Sequence, residues 1–229
     1  LLLGVVLLDY DIHIVLLCAL AVVCMAKPLP HTPGSSMHIH QSVVEQGSGR
    51  NIFSAEDGEA TPAFFHFIGG QQAALADFTL LFAPHVNSYQ RLCHPYASPN
   101  NACWSYDNRA AGLRIPASGP AARRVENRLP GADANPYLAI AASLAAGLHG
   151  LQLQLEPGAP IQGKFEVPAA LSLPCTLHAA LQRLQGSALA RQWFGDEFVG
   201  GYCATKSMEL MSFLDEITPW ERRVLANQV

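Results

Sequence analysis

Residues Arg124 to Tyr137 read "RVENRLPGADANPY", which sets a strand directly before the start of a helix. Over its first half, alternation puts Arg124, Glu126 and Arg128 on one face of an extended chain and Val125, Asn127 and Leu129 on the other. A Pro-Gly turn follows. Asn135 and Pro136 then supply an N-cap and a proline for the first helical position, opening "NPYLAIAASLAAGLHG". That helix is apolar nearly all round, so it is expected in the interior.

Working outward, "PGSSMHIHQS" (Pro33 to Ser42) has the same period of two. His38, His40 and Ser42 fall on one side, and Met37, Ile39 and Val43 on the other. "EQGSGRN" (Glu45 to Asn51) is a glycine-rich turn, so a hairpin is expected there. Thr61 and Pro62 open an apolar helix through about Phe82, ended by Pro84, although Gly69 and Gly70 sit inside it. "PGAPIQGK" (Pro157 to Lys164) is a loop. Beyond it, helices are predicted over about Thr176 to Gln185, Ala188 to Phe194 and Glu197 to Glu216. A last one is capped by Thr218, Pro219 and Glu221. Strands concentrate between residues 35 and 130 and helices after 135. No internal repeat or low-complexity linker divides the chain.

Half of the 229 residues are apolar, which is enough for a sizeable core. The formal charge of −4, from 14 Lys and Arg against 18 Asp and Glu, argues against nucleic-acid binding, which needs a basic surplus. The six cysteines, Cys18, Cys24, Cys93, Cys103, Cys175 and Cys203, form no CxxC pair. Reduced, buried thiols in a cytoplasmic protein are therefore expected rather than a disulfide or zinc framework. The first 24 residues are strongly apolar but are interrupted by Asp9, Asp11 and His13. Their longest later run, Ile14 to Ala26, falls short of the about 20 apolar residues that a membrane span needs. A buried strand and helix, or a terminus of uncertain origin, is favoured over a membrane anchor.

The charged residues gather in one region. Arg91, Arg109, Arg114, Arg123, Arg124 and Arg128 stand against only Asp107, Glu126 and Asp133. A carboxylate between guanidiniums stays ionised. Glu126 could hold a divalent ion while the arginines grip phosphate oxygens. The plainer alternative is a solvated edge strand with cross-strand ion pairs. Two histidines on one strand are weak evidence for metal, and no zinc motif, nucleophile elbow or phosphate loop accompanies them.

Four stretches in order, "GSSMHIHQS", "NSYQRL", "DNRAAGLRIP" and "RRVENRLPGADANPYLAIAASLAAGL", resemble the C-terminal catalytic half of the glutamine synthetase family. "PGSSMH" and "SPNNACWSYDNR" are most similar to its gamma-glutamylpolyamine (gamma-glutamylputrescine) synthetase branch. The resemblance covers Met25 to Val229, with residues 1–24 standing apart. It implies an α+β fold, an antiparallel curved sheet with helices packed behind it. It also implies ATP-dependent phosphorylation of the glutamate γ-carboxylate, then attack by a primary amine such as putrescine. ATP and Mg2+ or Mn2+ are the implied cofactors, and a homo-oligomer the implied assembly.

Carried over by position, His38 and Glu126 are the implied metal ligands. His40, Ser42 and Arg124 are implied on the nucleotide side, Arg109 and Arg114 beside the phosphates. Gly34 lies against glutamate, Arg91 holds its α-carboxylate, and Arg128 lies near its γ-carboxylate and phosphate. Ammonia-using members carry a glutamate where this chain reads Ala97, so a larger primary amine is the expected co-substrate. The family's remaining metal ligands belong to a part of the fold before the "MHIHQS" strand. The chain therefore reads as a C-terminal fragment of such a ligase. The alternatives are a glutamine synthetase using ammonia, or an inactive remnant serving as a binding or assembly partner.

Overall fold

The computed structural model describes residues 24–93, 98–163, 165–226 and 228, with residues 2–3 and 7–9 as backbone. Its main sheet has five strands in the order β2-β3-β7-β6-β5: β2 (Leu7–Asp9), β3 (His38–Gln41), β5 (Trp104–Tyr106), β6 (Leu113–Ile115) and β7 (Val125–Asn127). A second, two-stranded sheet joins β1 (Leu2–Leu3) to β4 (Val43–Val44). The apolar N-terminal stretch thus contributes two strands, one pairing β3 and one pairing β4. Among the described residues no helix is long and apolar enough to cross a membrane.

The α+β architecture is present, but the sheet is mixed where an antiparallel one was expected. β5 and β6 run parallel, Trp104 opposite Leu113 and Tyr106 opposite Ile115. A parallel connection ordinarily needs a dozen or more residues. Here each strand is three residues long, so the return path is short, and residues 107–112 cover it in a tight loop that Asp107 opens with a left-handed φ of 46°. The hairpin after Val43 forms, with Glu45 N–H donating to Arg50 O. Its return arm is the single bridge Val44 to Asn51 rather than a strand.

The helices follow their caps. α1 (Pro62–Phe82) starts at Thr61, whose hydroxyl accepts from Phe64 N–H, and a short α2 (Val86–Leu92) follows it. α3 (Pro136–Leu153) starts at Asn135, which accepts from Tyr137 and Leu138 N–H. α4 (Leu177–Gly186), α5 (Ala188–Phe194), α6 (Asp196–Leu214) and α7 (Pro219–Leu225) complete the set, the last with the expected Thr218–Glu221 capping box.

Gly69 and Gly70, unexpected inside a helix, have a packing reason. A Cβ on Gly70 would stand 2.3 Å from Ala146 O and from Gly150 N, so α1 and α3 cross with backbone against backbone. α3 is less interior than its composition suggests. Ala139, Ala142, Ala146 and Gly150 are buried, but Tyr137 is 83% exposed and Leu153 also faces solvent. Alanine and glycine make a helix read as apolar on every side while only one side meets a neighbour. The core lies between the sheet and these helices and is rich in aromatic rings, Phe53, Phe64, Phe67 and Phe78 among them.

Candidate active site

The solvent-facing side of β3, β7 and β6 is built by register. His40 lies opposite Glu126, and Glu126 opposite Arg114, forming one rung across three strands. Directly opposed residues share a face. The alternation in "HIHQ" and "RVENR" therefore delivers two histidines, a carboxylate and several guanidiniums to a single wall. The wall lines an open cleft of about 610 Å³ bounded by His38, His40, Asp107, Arg109, Arg114, Pro116, Ala117, Arg124, Glu126 and Arg128. That volume suits a bound small molecule.

Glu126 is the centre of the wall. It is 1% exposed and lies on a strand paired on both sides, which overturns the solvated-edge alternative. Arg128 donates to Oε1 at 2.5 Å, Arg114 to Oε2 at 2.6 Å, and His38 Nδ1 is 3.1 Å from Oε1. Burial alone would raise the carboxyl's pKa. The hydrogen bonds from His38 and Arg114 and the charge of Arg128 outweigh it and hold the group down at about 2. Arg114 is shared with Asp107, a cleft-lining acid to which the sequence reading gave no role. The ordering of Arg114 by two acids could have been sought in the "YDNRAAGLR" spacing. The short parallel loop that brings Asp107 back could not. Across β3, Arg124 Nε donates to His40 Nδ1 at 3.1 Å.

Seven of the ten residues singled out line this cleft: His38, His40, Arg109, Arg114, Arg124, Glu126 and Arg128. Arg109 and its neighbours give it four guanidiniums against two carboxylates, a positive surface suited to phosphate oxygens. The other three lie apart. Ser42 falls at the break between β3 and β4, outside the cleft lining, because the strand ends one residue before it. Gly34 and Arg91 form a neighbouring pair: a Cβ on Gly34 would stand 2.7 Å from Arg91 Cγ and 2.3 Å from Ala26 O.

Arg91, 2% exposed, donates to Ser36 Oγ at 3.0 Å, to Ser98 Oγ at 3.1 Å and to Leu129 O. Burial and the charge of Arg128 lower its pKa to about 10, against the opposing pull of Asp133. Two buried guanidinium atoms, Arg91 Nε and Arg128 Nε, have no partner among the described residues, which fits a region built to receive an anion. Ser36, Ser98 and Asp133 escaped the sequence reading because none carries a motif by itself. Residues 94–97, where Ala97 bears on the choice of amine, lie outside the described residues.

His38 and Glu126 converge as an imidazole and a carboxylate, a donor set that fits a divalent cation in kind. Two ligands are fewer than such an ion requires, and no group of three or more possible ligands occurs among the described residues.

Comparison with known proteins identifies the family. Residues 14–225 match the family model described as the glutamine synthetase catalytic domain, a match that begins inside the apolar first segment. The chain is 42% identical over 190 residues to a gamma-glutamylethanolamide synthetase of Streptomyces coelicolor, covering 83% of this chain and 40% of the relative. It is 36% identical over 197 residues to the gamma-glutamylputrescine synthetase of Escherichia coli, covering 86% of this chain and 42% of the relative. Proteins named glutamine synthetase are also among the relatives. A solved structure titled "Apo GmaS without ligand" superposes with a TM-score of 0.78 at 32% identity, over 90% of this chain and 48% of that one. The chain spans about two fifths of the length of these curated relatives. With the fold, the ordered motifs and the family model in agreement, this chain belongs to the glutamine synthetase family and carries part of its catalytic domain.

Proposed function

We propose that this chain supplies one wall of the active site of an ATP-dependent ligase that joins the γ-carboxylate of glutamate to a primary amine larger than ammonia. One observation carries the reading: a buried carboxylate fixed by His38, Arg114 and Arg128 at the floor of a cleft with four guanidiniums. Relatives named for ethanolamide and putrescine products favour a primary amine. The homo-oligomer, the cytoplasmic setting and the site assignments implied by the resemblance belong to the same reading.

In this scheme Arg109, Arg114 and Arg124 hold nucleotide phosphates, and the planar guanidinium forks orient the transferred phosphoryl group toward the glutamate carboxylate. Arg91 binds the α-carboxylate and Arg128 the γ-carboxylate, so that the carboxylate oxygen and the phosphorus meet in line. Charge that builds on the phosphoryl oxygens is met by guanidiniums already in place. A divalent ion bound by His38, Glu126 and further ligands would add a second source of positive charge to those oxygens. The amine then attacks the acyl carbon and phosphate departs.

The test is glutamate-dependent ADP release by the full-length protein with magnesium, run separately with putrescine, ethanolamine and ammonium. Release with a primary amine in excess of ammonium is the expected result. Release with ammonium alone would make the protein a glutamine synthetase. Nucleotide binding without release under any condition would leave a binding or assembly role in place of the ligase.

A further inference from the structure

The thiols were expected to be buried, and Cys103 and Cys203 are, but Cys24, Cys93 and Cys175 are exposed, while Cys18 lies outside the described residues. Two of these three meet. Cys93 caps the C-terminal end of α2, and Cys175 directly precedes Thr176, the N-cap of α4. The chain segments that carry them are tied by a bridge between Asn101 and Ser172 and by Ala102 N–H donating to Leu171 O at 2.8 Å. Asn100 then places one amide nitrogen 2.8 Å from Cys175 Sγ and 3.6 Å from Cys93 Sγ. The two sulfurs thus share one amide nitrogen. Burial and the neighbouring Cys175 sulfur push the Cys93 thiol up to about 12, which disfavours Cys93 as the sulfur that attacks first. Nothing in the proposed ligase chemistry uses either sulfur.

From this geometry we infer that Cys93 and Cys175 form a peroxide-sensitive dithiol that closes to a reversible disulfide. Cys175, which has the nearer amide donor, attacks a hydroperoxide. Its sulfur gains one oxygen as a sulfenic acid, the O–O bond breaks, and the peroxide is reduced to water. Cys93 sulfur then displaces that oxygen, the S–S bond forms, and the Cys93 proton leaves with the hydroxyl as a second water. Two thiols and one hydrogen peroxide give one disulfide and two waters. Because Cys93 ends the helix that carries Arg91, oxidation pins α2 to the start of α4 across 82 positions of sequence.

The experiment exposes the folded protein to equimolar hydrogen peroxide, blocks remaining thiols with N-ethylmaleimide and maps peptides without reduction. The expected product is a Cys93–Cys175 linked pair, lighter by two hydrogens and lost on dithiothreitol treatment. Cys103 and Cys203 are alkylated only after unfolding. In the C175S variant Cys93 should remain alkylatable after the same exposure, because its partner sulfur is gone. The inference is overturned by alkylation of both thiols after exposure, by their conversion to sulfinic or sulfonic acids without a link, or by a link from either to Cys24. The readout is independent of ligase activity, so its failure leaves the functional reading untouched.

Discussion

Glu126 and Asn127 are adjacent on β7, both buried, and they face opposite sides of one sheet. The cleft side is charged: one carboxylate is gripped by two guanidiniums and an imidazole, and Arg128 Nε lacks a partner among the described residues. The helix side is neutral. Asn127 Nδ2 donates to Ser143 Oγ at 3.1 Å, Ser143 Oγ donates to Gln41 Oε1 at 2.5 Å, and Gln71 Nε2 donates to the same oxygen at 3.0 Å. That network joins β3 and β7 to α1 and α3 through amides and one hydroxyl, and leaves a single buried acceptor, Gln71 Oε1, without a partner. A neutral, nearly satisfied network specifies position cheaply, whereas a buried charge cluster is costly and is retained where a charged ligand needs it. The back of the sheet holds the strands in register, and the front uses that register.

The largest effect should come from the front. Glu126→Gln leaves Arg128 and Arg114 facing a neutral amide in a buried site, and should cost about 3 kcal/mol in urea unfolding. It should also flatten the acid limb of stability. The Glu126 carboxyl is held near 2 in the folded protein, below its value of 4.5 in an unfolded chain. Its contribution is therefore complete above about 4.5 and is lost as pH falls toward 2. Adding Arg128→Met to the variant should restore part of the loss, since the unpaired cation leaves with it. A double variant no more stable than the single one would mean that the cluster is structural, and the contrast between the faces would break.

Behind the sheet, Gly70→Ala should cost about 3 kcal/mol despite the roughly 1 kcal/mol that alanine adds to a helix. Its Cβ would meet backbone atoms of α3, which cannot turn aside as a side chain can. A thermal melt within a degree or two of the parent would show that α1 and α3 are not in backbone contact. Ser143→Ala comes next. It strands Gln41 Oε1 and Asn127 Nδ2 with fewer partners and should cost about 1–2 kcal/mol, while the proposed affinity for ATP stays unchanged. A weakened nucleotide affinity would mean that the two faces are coupled through the strands.

How far the sequence could be read follows the same division. Period-two alternation in "MHIHQS" and "RVENR" reached the cleft wall, because sidedness in a strand depends only on local geometry. Helix starts at Thr61, Asn135 and Thr218 were legible from single residues, since a cap is satisfied within a few positions. The parallel pairing of β5 with β6, the return of Asp107 to Arg114 and the Gln41–Ser143–Asn127 network depend on which segments meet in space. Spacing along the chain carries no record of that. Ser42 marks the limit of the alternation rule: its face is right, but the strand ends before it reaches the cleft.

The smallest effect should fall on the helix whose composition misleads. α3 has a small-residue face against α1 and an outer face on which Tyr137 is 83% exposed. Tyr137 N–H is held by the Asn135 cap through its backbone, so the side chain can change without disturbing the start of the helix. Tyr137→Ser loses little buried area and no side-chain hydrogen bond to the described residues, and should stay within about 0.5 kcal/mol of the parent in urea. The same tyrosine is a large apolar surface at the first turn. A loss of more than about 1 kcal/mol that depends on protein concentration would mean that this face is covered by another copy of the chain. The two-layer picture would then need a third layer outside α3.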